Sequence, residues 1–441
     1  MKLLRAFKTV NIRLWAAIFI SMILPTIYQT VRIFFLGELP SDSGVNIASQ
    51  MSWVNLFYEV AQEALILPLF HLLGKSLNDS KEFANKVRTG ITVTAAVYVL
   101  VSIILVSAAK PLVVFMAQNN ELIDVTVTYV RIETVGGIFS TLWRFISLVL
   151  VTLKKEKYMF ILLIIQMLLT IILDTFLVST LEVSLNIGVN GIAISNIIVN
   201  FVIFIVALIL LRRENISFFV KTKWNFCWLK EWLSVGKYSG LESLLRNVVF
   251  MVMVIRMVNI VAEQGIYWVA NNFIWQWLLI PSLALADVVK KEVGESEDNI
   301  RAKTFGYLCM ATLFALLWLV SIPLWKLFLR YVLNCSEYNK VFNVVLIETG
   351  FYVTFIFNST VFDSTFYGLG KTGYMLIQSI CIDGFYYGIL FILYLTGVYK
   401  PTLNGICLMF GIGMGLDFIP TFILYVRLLV KKGIKIDFKL Q

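Results

Sequence analysis

Long apolar runs recur along this chain between short polar stretches, each about the 20 residues that cross a bilayer as a helix. Twelve can be delimited, at approximately 14–36, 48–73, 89–109, 123–152, 158–180, 188–211, 238–261, 266–289, 304–329, 341–367, 373–397 and 402–430. No connection between them is long enough for a soluble domain. The first run follows Lys2, Arg5, Lys8 and Arg13 and has the look of a secretory leader. It is too long for a leader's apolar core and ends at Gly-Glu-Leu-Pro rather than at a small-residue cleavage site, so it counts as the first span. The pattern predicts an all-α polytopic membrane protein of twelve transmembrane helices.

Composition agrees. Of 441 residues 59% are hydrophobic and 15% charged, against about 45–50% and 25% in soluble domains. The mean hydropathy is +0.84, more than a large buried core accounts for, because folded soluble chains keep too much polar surface. Single soluble domains, disordered chains and nucleic-acid-binding modules are excluded, and no nucleic-acid partner is expected. The net charge of +10 has a simpler origin in loops. An even number of spans puts both termini on one side, and the stretches on that side hold 27 of the 37 Lys and Arg. The opposite side holds Lys110, Lys326, Arg330, Lys340 and Lys400. Lysine and arginine accumulate in cytoplasmic loops, so both termini are expected in the cytoplasm and the protein in the inner (plasma) membrane.

The longest connection, about 212–237, interleaves Trp224, Trp228 and Trp232 with lysines, which suits a segment lying on the inner leaflet. It divides the chain near its middle. Residues around Glu133 (RIETVG) recur around Glu348 (LIETG) at an offset of 215, and Tyr158-Met159 recurs as Tyr374-Met375 at 216. Asn190-Gly191-Ile192 recurs as Asn404-Gly405-Ile406 at 214, and the LILP ending at Pro68 as the LLIP ending at Pro281 at 213. Four matches in order at nearly one offset indicate a duplicated six-helix unit. The expected organisation is a six-helix lobe at 1–212, an interfacial linker at 213–236 and a second lobe at 237–441. Six is even, so the halves share orientation, an arrangement in which transporters bind cargo at the repeat interface.

Enzymatic chemistry finds little footing. GLGKTG at 368–373 lacks the first glycine of the Gly-x4-Gly-Lys-Ser/Thr phosphate loop, because Thr365 stands there. In GIGMGLD at 411–417, Leu416 separates Gly415 from Asp417, so the Gly-x-Gly-Asp of an intramembrane protease is absent; Gly411 and Gly415 read as a helix-packing face. The five cysteines show no paired spacing. The lone His71, near the inner end of span 2, reads as an interfacial residue, and with one histidine a His/Cys zinc site is close to excluded. No nucleophile constellation is present, and no cofactor or metal is expected.

Ionisable residues inside the spans carry the information. Clear of the helix ends these are Arg32, Glu59, Glu63, Arg131, Glu133, Arg144, Asp174, Glu242, Arg246, Arg256, Glu348, Asp363, Asp383 and Asp417. Each costs about 2.5–3.5 kcal/mol at a helix centre, so each should face a cavity or a partner. Interhelical ion pairing is the plain reading, and Glu242 with Arg246, one turn apart, fits it. Glu59 and Glu63 share a face near mid-bilayer and repel. Either one of them holds a proton, as a proton-coupled carrier would use, or an arginine such as Arg131 or Arg144 keeps both ionised. Aromatic residues make up 14% of the chain, and rings suit bulky lipophilic cargo, organic cations included. A membrane-embedded enzyme has no supporting constellation.

Several stretches resemble the multidrug and toxic compound extrusion (MATE) family. They are ILPTIYQTVRIFFLGEL at 23–39, LILPLFHLLGKSLNDSKEFANKV at 65–87, MLLTIILDTFLV at 167–178, IGVNGIAISNIIVN at 187–200, GKYSGLESLL at 236–245 and YGLGKTGYM at 367–375. The resemblance implies a secondary transporter with a cavity between two six-helix lobes, exchanging H⁺ or Na⁺ for organic cations. It places a cation-site aspartate at Asp174, but Arg32 stands where the partner acid of the first helix would be and opposes Na⁺ there. The same superfamily includes flippases for lipid-linked oligosaccharides with arginine-lined cavities, and five intramembrane arginines fit that alternative.

The combined expectation is a monomeric exporter of amphipathic or cationic small molecules, with Arg32, Glu59, Glu63, Glu133, Asp174, Arg256, Glu348 and Asp363 as cavity or coupling residues. Its alternative is a flippase for an anionic lipid-linked precursor. Arg32 and Asp174 lie roughly 27 and 24 Å along their helices from the cytoplasmic side at 1.5 Å per residue. The equal depth predicts an Arg32–Asp174 ion pair, the alternative being an Arg32 that snorkels to the outer interface.

Overall fold

The computed structural model describes residues 9–39, 43–74, 76–77, 79–214 and 224–436. The side chain of His71 is outside those described. Among the described residues the chain is helical throughout, with no strand. The first six spans are α1 (Ile12–Glu38), α2 (Met51–Gly74), α3 (Ser80–Ser107), α4 (Ile123–Thr152), α5 (Glu156–Leu177) and α6 (Val189–Arg213). Short helices Ser43–Ser49 and Ala109–Phe115 precede α2 and α4.

The second six are interrupted by widened π-turns. α7 consists of Leu229–Phe250, the π-turn Met251–Ile255 and Arg256–Ile260; α8 of Gln264–Phe273, the π-turn Ile274–Leu278 and Ile280–Glu295. α9 is the helix Asp298–Tyr331. α10 runs through Tyr338–Phe357, the π-turn Asn358–Asp363 and Ser364–Gly368, and α11 through Thr372–Ser379, the π-turn Ile380–Tyr386 and Tyr387–Leu395. α12 is Leu403–Lys432. Such bulges in membrane helices often mark functional positions.

Ten of these helices are long and apolar enough to cross a membrane, and α8, bent by 55° where Pro281 opens its second part, makes eleven. α2, with 24 residues, is the remaining long helix, and its Glu59, Gln62 and Glu63 would be costly in a bilayer unless turned to partners. The ends follow local chemistry: Asp79 caps α3 by accepting from the amides of Lys81 and Glu82, and Thr402 caps α12. Gly433 closes α12 in the left-handed conformation, with Lys431 and Lys432 in the last turn. The nucleotide-loop lookalike at 368–373 is the turn between α10 and α11, with Gly370 at φ 65°.

By contact the chain forms two compact units, one of Ile27–Gly265 and one of Met1–Thr26 with Ile266–Gln441. In the first unit Trp53, Val54, Leu105, Val113, Val127, Val130 and Ile255 form a buried core. α7 belongs to this unit and lies against α2. Its Gly236 and Gly240 allow the approach: a Cβ on Gly236 would come within 2.0 Å of the Ala64 carbonyl, and one on Gly240 within 2.7 Å of the Ala64 methyl. Trp232 Nε1 donates to the Leu65 carbonyl at 2.8 Å, Trp228 Nε1 to Thr89 Oγ1 at 2.9 Å, and the two indoles stack. Trp232 is therefore buried against α2, and α7 begins nine residues before position 238 because these indoles find partners inside the protein. At its other end Asn259 and Gln50 exchange amide hydrogen bonds of 2.9 and 3.1 Å.

In the second unit, Trp15 of α1 donates to the Pro281 carbonyl at 3.0 Å and stacks on Phe314 of α9. Rings of Trp318, Trp325, Tyr352 and Phe273 meet one another. Gly411 does serve as a packing position, its face pressed on Phe351.

Candidate functional site

Arg32 and Asp174 are joined. Arg32 Nε lies 2.8 Å from Asp174 Oδ2 and its terminal nitrogen 3.2 Å from Oδ1, a two-pronged pair that is 7% and 1% exposed. Fork-to-fork geometry of this kind gives a charge-assisted pair its directionality. The helices fix it: α1 and α5 bring two residues 142 apart in sequence to one depth, and neither charge has water to turn to. Arg32 does not snorkel. Both carboxylate oxygens of Asp174 face the guanidinium, the place where the family resemblance puts a metal cation. Glu133 of α4 lies within electrostatic reach of Arg32 and accepts a hydrogen bond from Asn196 of α6.

A second cluster forms on α2, α4 and α7. Arg246 donates to Glu59 Oε1 at 3.1 Å and lies 3.5 Å from Glu242 of its own helix. The Glu63 backbone carbonyl accepts from Ser239 at 2.9 Å, and Arg144 donates to Gln62 at 3.3 Å. Glu59 and Arg246 keep 41% and 44% of their side chains exposed. Charges so exposed inside a membrane span belong on a wetted face, since lipid would not hold them.

The remaining expected residues lie apart from both clusters. Arg256 donates to the Phe115 carbonyl at 2.7 Å and covers the Phe115 ring, so it ties down the end of the short Ala109–Phe115 helix. Glu348 is 1% exposed and hydrogen-bonded to Cys407 of α12. Asp363 accepts from Gln378 at 3.0 Å, and Asp417 from Asn358 at 2.9 Å. Among the described residues no three His, Cys, Asp or Glu are arranged to hold a metal. The partner of Glu59 is Arg246, not Arg131 or Arg144: Arg131 donates to the Val106 carbonyl. The sequence carried one signal for this contact, the Gly236/Gly240 spacing that lets α7 approach a neighbour. Nothing in it named α2 as that neighbour, or Asn196 as the donor to Glu133.

The fold is that of a polytopic helical membrane protein built from two six-helix repeats. Residues 17–176 match the MatE family model. No curated protein sequence matches the chain. Among solved structures, a multidrug-resistance MATE transporter of the MOP superfamily in an outward-facing conformation is 16% identical with a TM-score of 0.72, over 98% of this chain and 97% of that one. A MOP superfamily transporter from Pyrococcus furiosus is 18% identical with a TM-score of 0.72, over 97% of each chain. A Vibrio cholerae MATE transporter is 14% identical with a TM-score of 0.70, over 98% of each. The family model reaches across part of the chain, residues 17–176, and these solved structures share its fold.

Proposed function

We propose that the protein is a monomeric secondary transporter of the inner membrane that exports amphipathic or cationic small molecules by alternating access. Its two repeats, residues 1–212 and 237–441, are the functional halves, and both termini are cytoplasmic. The observation that carries this reading is the Glu59–Arg246–Glu242 cluster with Glu63 beside it, in which Glu59 and Arg246 are half-exposed and Glu242 is buried. A wetted acidic face suits a cationic cargo and offers carboxylates that a coupling H⁺ or Na⁺ can reach. Asp174 does not serve that role here, because Arg32 supplies a covalently fixed cation in its place. The flippase reading draws less support. Each of the five intramembrane arginines is bonded to a group of this chain: Arg32 to Asp174, Arg131 to Val106, Arg144 to Gln62, Arg246 to Glu59 and Arg256 to Phe115.

Uptake of a fluorescent organic cation into proteoliposomes, driven by an imposed pH gradient, tests the proposal. Replacing Glu59 and Glu63 together by Gln is expected to abolish driven uptake while the protein elutes as a monodisperse species. Uptake that follows Na⁺ at constant pH, and is lost in the same variant, identifies Na⁺ as the coupling ion. Undiminished transport by the double variant would remove these carboxylates from the mechanism.

A further inference from the structure

Beside the charged cluster, the Leu229 end of α7 and the facing part of α2 leave a groove of about 620 Å³, within the range of about 300–1,000 Å³ that small-molecule sites occupy. Its floor is flat because Gly236 and Gly240 lie directly on Ala64. Val60, Leu233 and Leu241 line it, and Lys230 and Lys237 are the charged residues of its lining; no acid is among them. Leu233 and Leu241 are 63% and 53% exposed. Positions 230, 233, 237 and 241 recur every three or four residues, so both lysines and both leucines share one side of α7.

The position of this groove along the helix matters most. α7 runs through the 32 residues Leu229–Ile260, about 48 Å at 1.5 Å per residue, against a hydrocarbon core of about 30 Å. Its Leu229 end therefore reaches the headgroups, where Lys230 and Lys237 can snorkel, and Leu241 lies a turn deeper than Lys237. Lys237 is held over the Tyr238 ring at 4.7 Å, and neither lysine has a carboxylate partner among the described residues.

We propose that this groove holds one molecule of an anionic phospholipid, its phosphate between Lys230 and Lys237 and an acyl chain along Leu241, Leu244 and Val60. The lipid covers apolar surface that α2 and α7 leave open at their contact and braces α7 against α2. A zwitterionic lipid lacks the net charge that two unpaired lysines select, and a basic site near an anionic membrane gains about a fivefold preference per lysine.

The test uses the full-length protein extracted from nanodiscs of phosphatidylglycerol and phosphatidylethanolamine in equal amounts, with retained lipid counted by native mass spectrometry. The expected result is one phosphatidylglycerol held per chain in excess of phosphatidylethanolamine. Lys230→Gln with Lys237→Gln should lower that preference about thirtyfold, and raised salt should weaken it in the unchanged protein. Ser234→Trp, which fills the groove and leaves both lysines in place, should remove the retained lipid. Retained lipid matching the bulk mixture would overturn the proposal. So would retention that survives either variant, or a dimer in solution whose interface protects Leu233 and Leu241 from labelling at substituted cysteines.

Discussion

Glu133 and Glu348 occupy matching places, each on the fourth helix of its repeat and each bonded to the sixth helix of that repeat, yet their surroundings differ. Glu133 accepts from Asn196, and Arg32, itself fastened to Asp174, is near enough to act on it. Glu348 meets the thiol of Cys407 and lies within electrostatic reach of the phenols of Tyr267, Tyr352 and Tyr387; its Oε1 has no hydrogen-bond partner. One unit has built a cation into the neighbourhood of its acid. The other has surrounded its acid with aromatic side chains. A duplicated scaffold thus preserves where a carboxyl stands while its neighbours decide what charge the site can carry.

The sharpest way to break this contrast is at the ion pair. Arg32→Ala or Asp174→Ala alone should destabilise the protein by about 3–5 kcal/mol, because each leaves a buried charge unmatched. The double variant should lose less than either single one. Thermal unfolding in detergent reads this, and equal losses in all three variants would mean that the two groups do not depend on each other. Asn196→Leu should cost about 1–3 kcal/mol by leaving Glu133 without its donor. Glu348→Gln in the other unit should change stability by less than about 1 kcal/mol, since a neutral isostere fits a site that offers no cation. If Glu348→Gln were as damaging as Arg32→Ala, the two sites would be alike in needing a charge, and the comparison would collapse.

Much of this was legible in the residues. The apolar runs gave the twelve spans because the bilayer imposes one length on all of them. The Arg32–Asp174 pair was legible because two opposite charges at one depth have few alternatives to each other. Arg246 as the partner of Glu59 was not. Polar residues stand on more than one side of α7, Lys230 and Lys237 on one and Glu242 and Arg246 on another, so its pattern does not single out the face that meets α2, and the contact was hidden. The burial of Trp232 was hidden as well. Tryptophan among lysines suits an interface, but the same ring with its N–H satisfied by the Leu65 carbonyl is equally at home inside. The π-turns of α7, α8, α10 and α11 left no mark in composition, since they arise where neighbouring helices reposition a turn.

The pairing of residues 142 apart has a consequence for how the chain is made. The ribosome completes the first helix long before the fifth, and at about 5–20 residues per second the interval is roughly 7–28 s. Throughout that interval Arg32 is in or near the membrane without the aspartate that will hold it. The nascent first helix therefore needs a temporary host, in the insertion machinery or at the membrane surface, and it can settle at its final depth only when Asp174 arrives. A truncation ending before residue 174 should leave the first helix shallow and accessible to water-soluble reagents at positions near Arg32, and one extending past the fifth helix should close them off.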